Sequence, residues 1–186
     1  MSLSLRKWGT LVILSIIWGS SYILIKKGLT GLTPIQLGSL RVIVTTLIIA
    51  PMGYKKIKMI PKEKMKWVAI SAFIGSFLPA YLFAFAETEI SSSVTAVMVS
   101  LTPLFTLLIS VVVFKEELLK KQVLGVFVGF IGIIVLINNE LLSSSFNLLY
   151  VMFIVLAAFC YAINANVLKY KLPNIPALGI VFMSFL

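Results

Sequence analysis

Residues 92–114 read SSVTAVMVSLTPLFTLLISVVVF, with no Asp, Glu, Lys or Arg at any position. At 1.5 Å per residue, a helix of this length reaches ~35 Å, which exceeds the ~30 Å hydrocarbon core of a bilayer. Working outward, 67–86, 122–139 and 8–25 are also uncharged and mostly apolar. Four such runs in 186 residues exclude a soluble fold. Backbone groups in lipid must be satisfied internally, so runs of this length favour helices, and the apolar/polar alternation of a membrane barrel is absent. Composition agrees: 60% of residues are apolar, 12% are charged and the mean hydropathy is +1.10. Soluble domains carry roughly 25% charged residues.

The expected fold class is therefore all-α, a multi-spanning transmembrane helix bundle. Spans are predicted near 8–28, 35–54, 66–86, 92–114, 119–138 and 148–168, about six complete helices, with the start of a seventh at about 176. Arg6-Lys7 before an apolar run also fits a secretory signal, but the run continues to Ile25 and no soluble mature domain follows, so an uncleaved first span is expected. The single cysteine, Cys160, lies within an apolar run, so no disulfide forms within the chain; a small core residue is its simplest reading.

The net charge of +10 and the pI near 9.8 do not point to nucleic acid, because the basic residues cluster between apolar runs rather than on one folded face. Arg6 and Lys7, then Lys55, Lys56, Lys58, Lys62, Lys64 and Lys66, then Lys115, Lys120 and Lys121, then Lys169 and Lys171 all fall on one side. That is thirteen of the sixteen basic residues. Glu87, Glu89 and Glu140 fall on the other. The positive-inside bias puts the N-terminus in the cytoplasm and the chain in a cell membrane as a multi-pass protein. Lys26 and Lys27, at the outer end of span one, are expected to snorkel to the interface. Arg41 lies about two turns inside span two, where an unpaired guanidinium is costly. It should face the bundle interior and bond carbonyls or hydroxyls there, either as an anchor or as a substrate-facing charge.

Compared with itself at an offset of 142, the chain sets Trp18-Gly19-Ser20-Ser21-Tyr22 against Cys160-Tyr161-Ala162-Ile163-Asn164, Lys27 against Lys169 and Pro34 against Pro176. Five spans separate the two copies' starts. Five is odd, so the second copy enters the membrane upside down, the inverted-repeat design of secondary transporters. Three stretches then carry a family resemblance. They are Trp18-Gly19-Ser20-Ser21 through Lys26, Leu40-Arg41, and a block from Ser91 to Leu136 containing Ser100-Leu101-Thr102-Pro103-Leu104-Phe105, Phe114-Lys115-Glu116-Glu117, Gln122-Val123-Leu124-Gly125 and Gly129-Phe130-Ile131-Gly132. In order and spacing the chain resembles the EamA type of the drug/metabolite transporter superfamily. The resemblance implies ten helices in two inverted five-helix repeats around a central cavity, serving import or efflux of small metabolites. It divides the chain into a first repeat, 1–140, and an incomplete start of the second, 141–186. Either a missing C-terminal half or a homodimer would then close the bundle.

Candidate substrate-binding residues are those that interrupt apolar helices near the midplane. They are Trp18, Ser20, Ser21 and Tyr22 in span one, Arg41 in span two, Pro79 and Tyr81 in span three, and Thr102, Pro103 and Thr106 in span four. Each proline withdraws an amide and frees an upstream carbonyl that a hydroxyl, a water or a substrate can use; a simple kink is the plainer reading. Gly125, Gly129 and Gly132 read as a helix-packing face, and Glu116 as a partner of Lys115, Lys120 or Lys121. Proton-driven carriers usually embed an Asp, Glu or His. This chain has neither His nor Asp, and its glutamates sit at predicted helix ends or in loops, so either the titrating group lies in a missing half, or Glu87 or Glu89 dips inward, or transport is uniport. Intramembrane catalysis has no residues to run on, no metal or cofactor is expected, and the partners are the lipid bilayer and a small molecule, with amino acids, nucleobase-like and amphipathic compounds all in scope. The competing reading is a truncated or non-transporting membrane protein acting as a scaffold or remnant. A dimeric short exporter inserted both ways is disfavoured by the strong charge bias.

Overall fold

The computed structural model describes residues 3–117, 119–141 and 147–186. Their elements are helical in the order α1 (Leu3–Gly28), α2 (Pro34–Ile57), α3 (Met65–Ala72), a π-helical turn (Phe73–Phe77), α4 (Leu78–Glu89), α5 (Ser92–Val99), α6 (Thr102–Phe114), α7 (Lys120–Leu141), α8 (Leu148–Lys171) and α9 (Ala177–Phe185). By length and composition, five helical stretches can cross a membrane: Leu5–Gly28, Pro34–Ile57, Lys62–Glu89, Ser92–Phe114 and Leu148–Lys171. Helix α7 lies where the sequence places a further span, and α9 opens where the seventh was expected. The chain is a multi-span helical bundle. The side chain of Glu140, assigned to the outer side, lies outside the described residues.

Local chemistry sets the breaks. Thr33 caps α2 through a capping box with Gln36, and Pro34 takes the first-turn position where its missing N–H costs nothing. In span three, Pro79 cannot bond Gly75, four residues earlier, and the helix widens into the π turn immediately before it. In span four, Pro103 has the same relation to Val99, where α5 ends. The freed Val99 carbonyl accepts from Thr102 Oγ1 at 2.7 Å. The proline of span four is thus a break whose freed carbonyl is accounted for.

Helix α8 is the centre of the bundle, packed against α4 and α6, while α9 lies along α2. One apolar cluster joins Ile25, Leu37, Phe83, Val94, Met98 and Ile154 from five helices; a second joins Ile60, Val68, Val167, Leu172 and Ile180. Close backbone approach requires glycine at Gly53, where an added Cβ would stand 2.4 Å from Phe182 Cβ. Helix α1 packs mainly against α4 and α5, and most of its surface is bare.

Candidate functional site

A group of polar side chains lies where α1, α2, α4 and α5 meet. Four positions of α4, Ala80, Phe83, Ala84 and Glu87, follow the helical period and face inward, all buried. Glu87 has 0% of its surface exposed. Oε2 lies 3.1 Å from Ser92 Oγ, and Oε1 has no hydrogen-bond partner among the described residues. Ser92 Oγ also lies 3.1 Å from the Tyr22 carbonyl oxygen. The Lys26 ammonium reaches the end of span three. It donates to the carbonyls of Glu87 (2.6 Å), Ile90 (3.2 Å) and Thr88 (3.4 Å), a cation set on the C-terminal end of α4 where the helix dipole favours it.

One turn to two turns deeper, Arg41 points into the same region, half-buried, and its Nη1 donates to the Ala80 carbonyl at 3.5 Å. This is the interior carbonyl contact the sequence called for. The Tyr81 hydroxyl pairs with Ser39 Oγ at 3.0 Å, and the Tyr22 ring meets Phe83 edge-on at 5.8 Å. Pro79 is buried beneath them. Of the ten candidates, Tyr22, Arg41, Pro79 and Tyr81 therefore share one region.

The remaining candidates lie elsewhere. Trp18 is 69% exposed and, with Ser20, faces away from the bundle; Ser20 and Ser21 spend their hydroxyls on the Ile17 and Trp18 carbonyls. Thr102, Pro103 and Thr106 line a separate groove of about 600 Å³ between α6 and α7, with Gln122, Gly125 and Gly129 opposite. Gly125, Gly129 and Gly132 were read as a packing face, yet a Cβ on any of them would meet nothing within 4 Å. Among the described residues no helix is seated on that stripe, and two of its glycines border open space. The Thr106 carbonyl accepts from buried Asn166 at 3.1 Å, which ties α6 to α8.

Glu116, expected beside the lysines of its own loop, reaches across to α8. Lys169 Nζ lies 2.5 Å from its Oε1, and the Tyr170 hydroxyl donates to Oε2. The Lys169 bond, then the Tyr170 bond, hold this exposed carboxyl below the usual carboxylate range. Tyr170 in turn stacks on Phe114 with ring centroids 4.0 Å apart.

Sequence reasoning named Glu87 only as an alternative to Glu89, and it did not select Ser92. Hydropathy cannot separate an inward from an outward glutamate three residues from a helix end. The helical period could have done so, since Glu87 falls three, four and seven residues after Ala84, Phe83 and Ala80, whereas Glu89 is out of phase and exposed.

Comparison with known proteins gives a consistent picture. The EamA-like transporter family matches residues 7–138. An uncharacterized transporter of Archaeoglobus fulgidus is 33% identical over 135 residues, 71% of this chain and 48% of its own. A probable amino-acid metabolite efflux pump of Salmonella typhimurium is 26% identical over 158 residues, 84% of this chain and 52% of its own. The uncharacterized inner membrane transporter YedA of Escherichia coli is 29% identical over 142 residues, 74% and 45% respectively. The chain spans about half the length of these curated relatives. No solved structure matches it. With most of its length matched and an all-helical, multi-span bundle beneath that match, the chain belongs to the EamA-like transporter family.

Proposed function

We propose that this chain forms the first repeat and the opening of the second in a secondary transporter that moves a small metabolite by alternating access through a central cavity. The observation that carries the reading is the inward-facing polar region of Arg41, Tyr81, Glu87 and Ser92 inside an apolar bundle. Intramembrane charge is costly and is kept where it handles a solute or an ion. Arg41 suits the carboxylate of an amino-acid-like solute, a chemistry consistent with the efflux-pump relative. The N-terminus is cytoplasmic in this reading, in the cell membrane, with the lysine-rich loop 55–66 on the same side.

The inverted second repeat is supported by helix ends. Gly28 and Pro34, at which α1 ends and α2 begins, correspond at an offset of 142 to positions 170 and 176, and α8 and α9 end and begin at Lys171 and Ala177. Helix α8 is covered by spans three and four; by the same symmetry, the bare face of α1 carrying Trp18 is the seat of the equivalent spans of a second half.

Export of radiolabelled amino-acid metabolites from an efflux-deficient bacterium expressing the gene tests the reading. Faster release than from control cells, lost in an Arg41→Ala variant that still reaches the membrane, is expected. Retention equal to control cells across the panel would overturn it in favour of a non-transporting membrane scaffold.

A further inference from the structure

Two contacts at the outer corner of α1 share a single hydrogen. Ser92 Oγ stands 3.1 Å from the Tyr22 carbonyl oxygen and 3.1 Å from Glu87 Oε2. A serine hydroxyl carries one hydrogen, and an ionised carboxylate carries none. With Glu87 ionised, one of these contacts becomes a bond and the other sets two lone-pair-bearing oxygens against each other. With a proton on Oε2, both become bonds: Glu87 donates to Ser92, and Ser92 donates to the Tyr22 carbonyl. The neighbouring ammonium cannot supply the missing hydrogen, because the three N–H groups of Lys26 are matched by the carbonyls of Glu87, Thr88 and Ile90. The unpartnered Oε1 agrees, since a buried neutral carbonyl oxygen is far cheaper to leave unbonded than a buried anionic one.

The ligand is a proton and not a larger cation. Glu87 has no exposed surface through which a solvated ion could reach it. Among the described residues no three His, Cys, Asp or Glu side chains converge to hold a metal. The carbonyls that a sodium-sized ion would use are already taken by Lys26. We propose that Glu87 is a proton-binding site that latches α1 to the α4–α5 corner through Ser92 and the Tyr22 carbonyl. The titratable and charged groups around it are Lys26 and Tyr22 on α1, Arg41 on α2, and Tyr150 and Tyr161 on α8, with Tyr81 and exposed Glu89 on its own helix. The π turn and α5 bring none. Loss of the proton breaks the Glu87–Ser92–Tyr22 chain. The resulting carboxylate is the stronger acceptor and takes the Ser92 hydrogen, so the Tyr22 carbonyl loses its bond and the α1–α5 tie is released, while Lys26 still holds α1 to the end of α4. In the carrier proposed above, a proton would thereby govern the outer closure made by α1. That extension rests on the transport reading; the latch does not.

The test reads the latch directly, in the full chain in detergent, without any transport measurement. Spin labels at Leu24→Cys and Ser93→Cys, both exposed, report the α1–α5 separation in a Cys160→Ala background. Infrared spectra report the carboxylic-acid C=O band. At acid pH the expected result is a short distance and a band that Glu87→Gln removes. Raising the pH should abolish the band and lengthen the distance. Glu87→Gln, whose amide N–H can donate to Ser92 as the acid does, should stay short at every pH. A band indifferent to Glu87→Gln, or a wild-type distance that holds constant while the band disappears, overturns the proposal. Should Glu87→Gln not fold, Ser92→Ala decides: it should be open at acid pH with the Glu87 band retained, and a short distance in that variant overturns the latch.

Discussion

At the scale of single residues, the bundle sets two charges of opposite character. Arg41 is held by one carbonyl at 3.5 Å, a long bond, so its replacement by alanine should cost about 1 kcal/mol, below the usual range for bonds to charged groups. A drop of a few degrees in the melting temperature of the detergent-solubilised protein is expected, and an unchanged melting curve would show the contact to be incidental. Glu116 is exposed, yet Lys169 and Tyr170 both bond it and depress its pKa. A group depressed in the folded state contributes stability that is fully present above its unfolded pKa of ~4.3 and is lost as pH falls through the folded value. Wild type should therefore melt slightly above Glu116→Gln at neutral pH, and the two curves should converge on acidification. A gap that persisted in acid would point to a different cause. Arg41 was legible in the sequence because a lone charge two turns inside an apolar run has few explanations. The partner of Glu116 was not, because loop lysines close in sequence are equally good candidates until the fold brings α8 alongside.

At the scale of helices, spacing and proline position determined nearly everything seen. The uncharged runs gave helix ends within a few residues, and Pro79 and Pro103 marked the two places where a span is broken. What periodicity could not give was the identity of the contacting partner. Gly125, Gly129 and Gly132 have the spacing of a packing stripe and pack on no described helix, whereas Gly53, isolated in its helix, lies hard against α9. Replacing Gly53 by alanine should force α2 and α9 apart and cost about 1–3 kcal/mol, the usual range for overpacking. The same change at Gly129 should not lower the melting temperature and should raise it slightly, because alanine has the better helix propensity and open space to occupy; thermal melts of the two variants side by side check both statements. A destabilised Gly129→Ala with a neutral Gly53→Ala would reverse the assignment of the two glycines.

At the scale of the molecule, charge bias makes a claim that one labelling experiment checks. Lys58 is exposed at the end of α2, and a cysteine placed there in the Cys160→Ala background should react with an impermeant maleimide in inverted vesicles but not in intact cells. Reaction from outside would invert the topology. The Lys26 contact adds a constraint in time. Its acceptor carbonyls lie 61 to 64 residues later in the chain. At ~5–20 residues per second, a ribosome needs roughly 3–12 s to make that stretch. Until that stretch has been made, the α1 ammonium lacks these acceptors. Docking of α1 is therefore a late event of biogenesis, completed only after the α4–α5 corner has been threaded across.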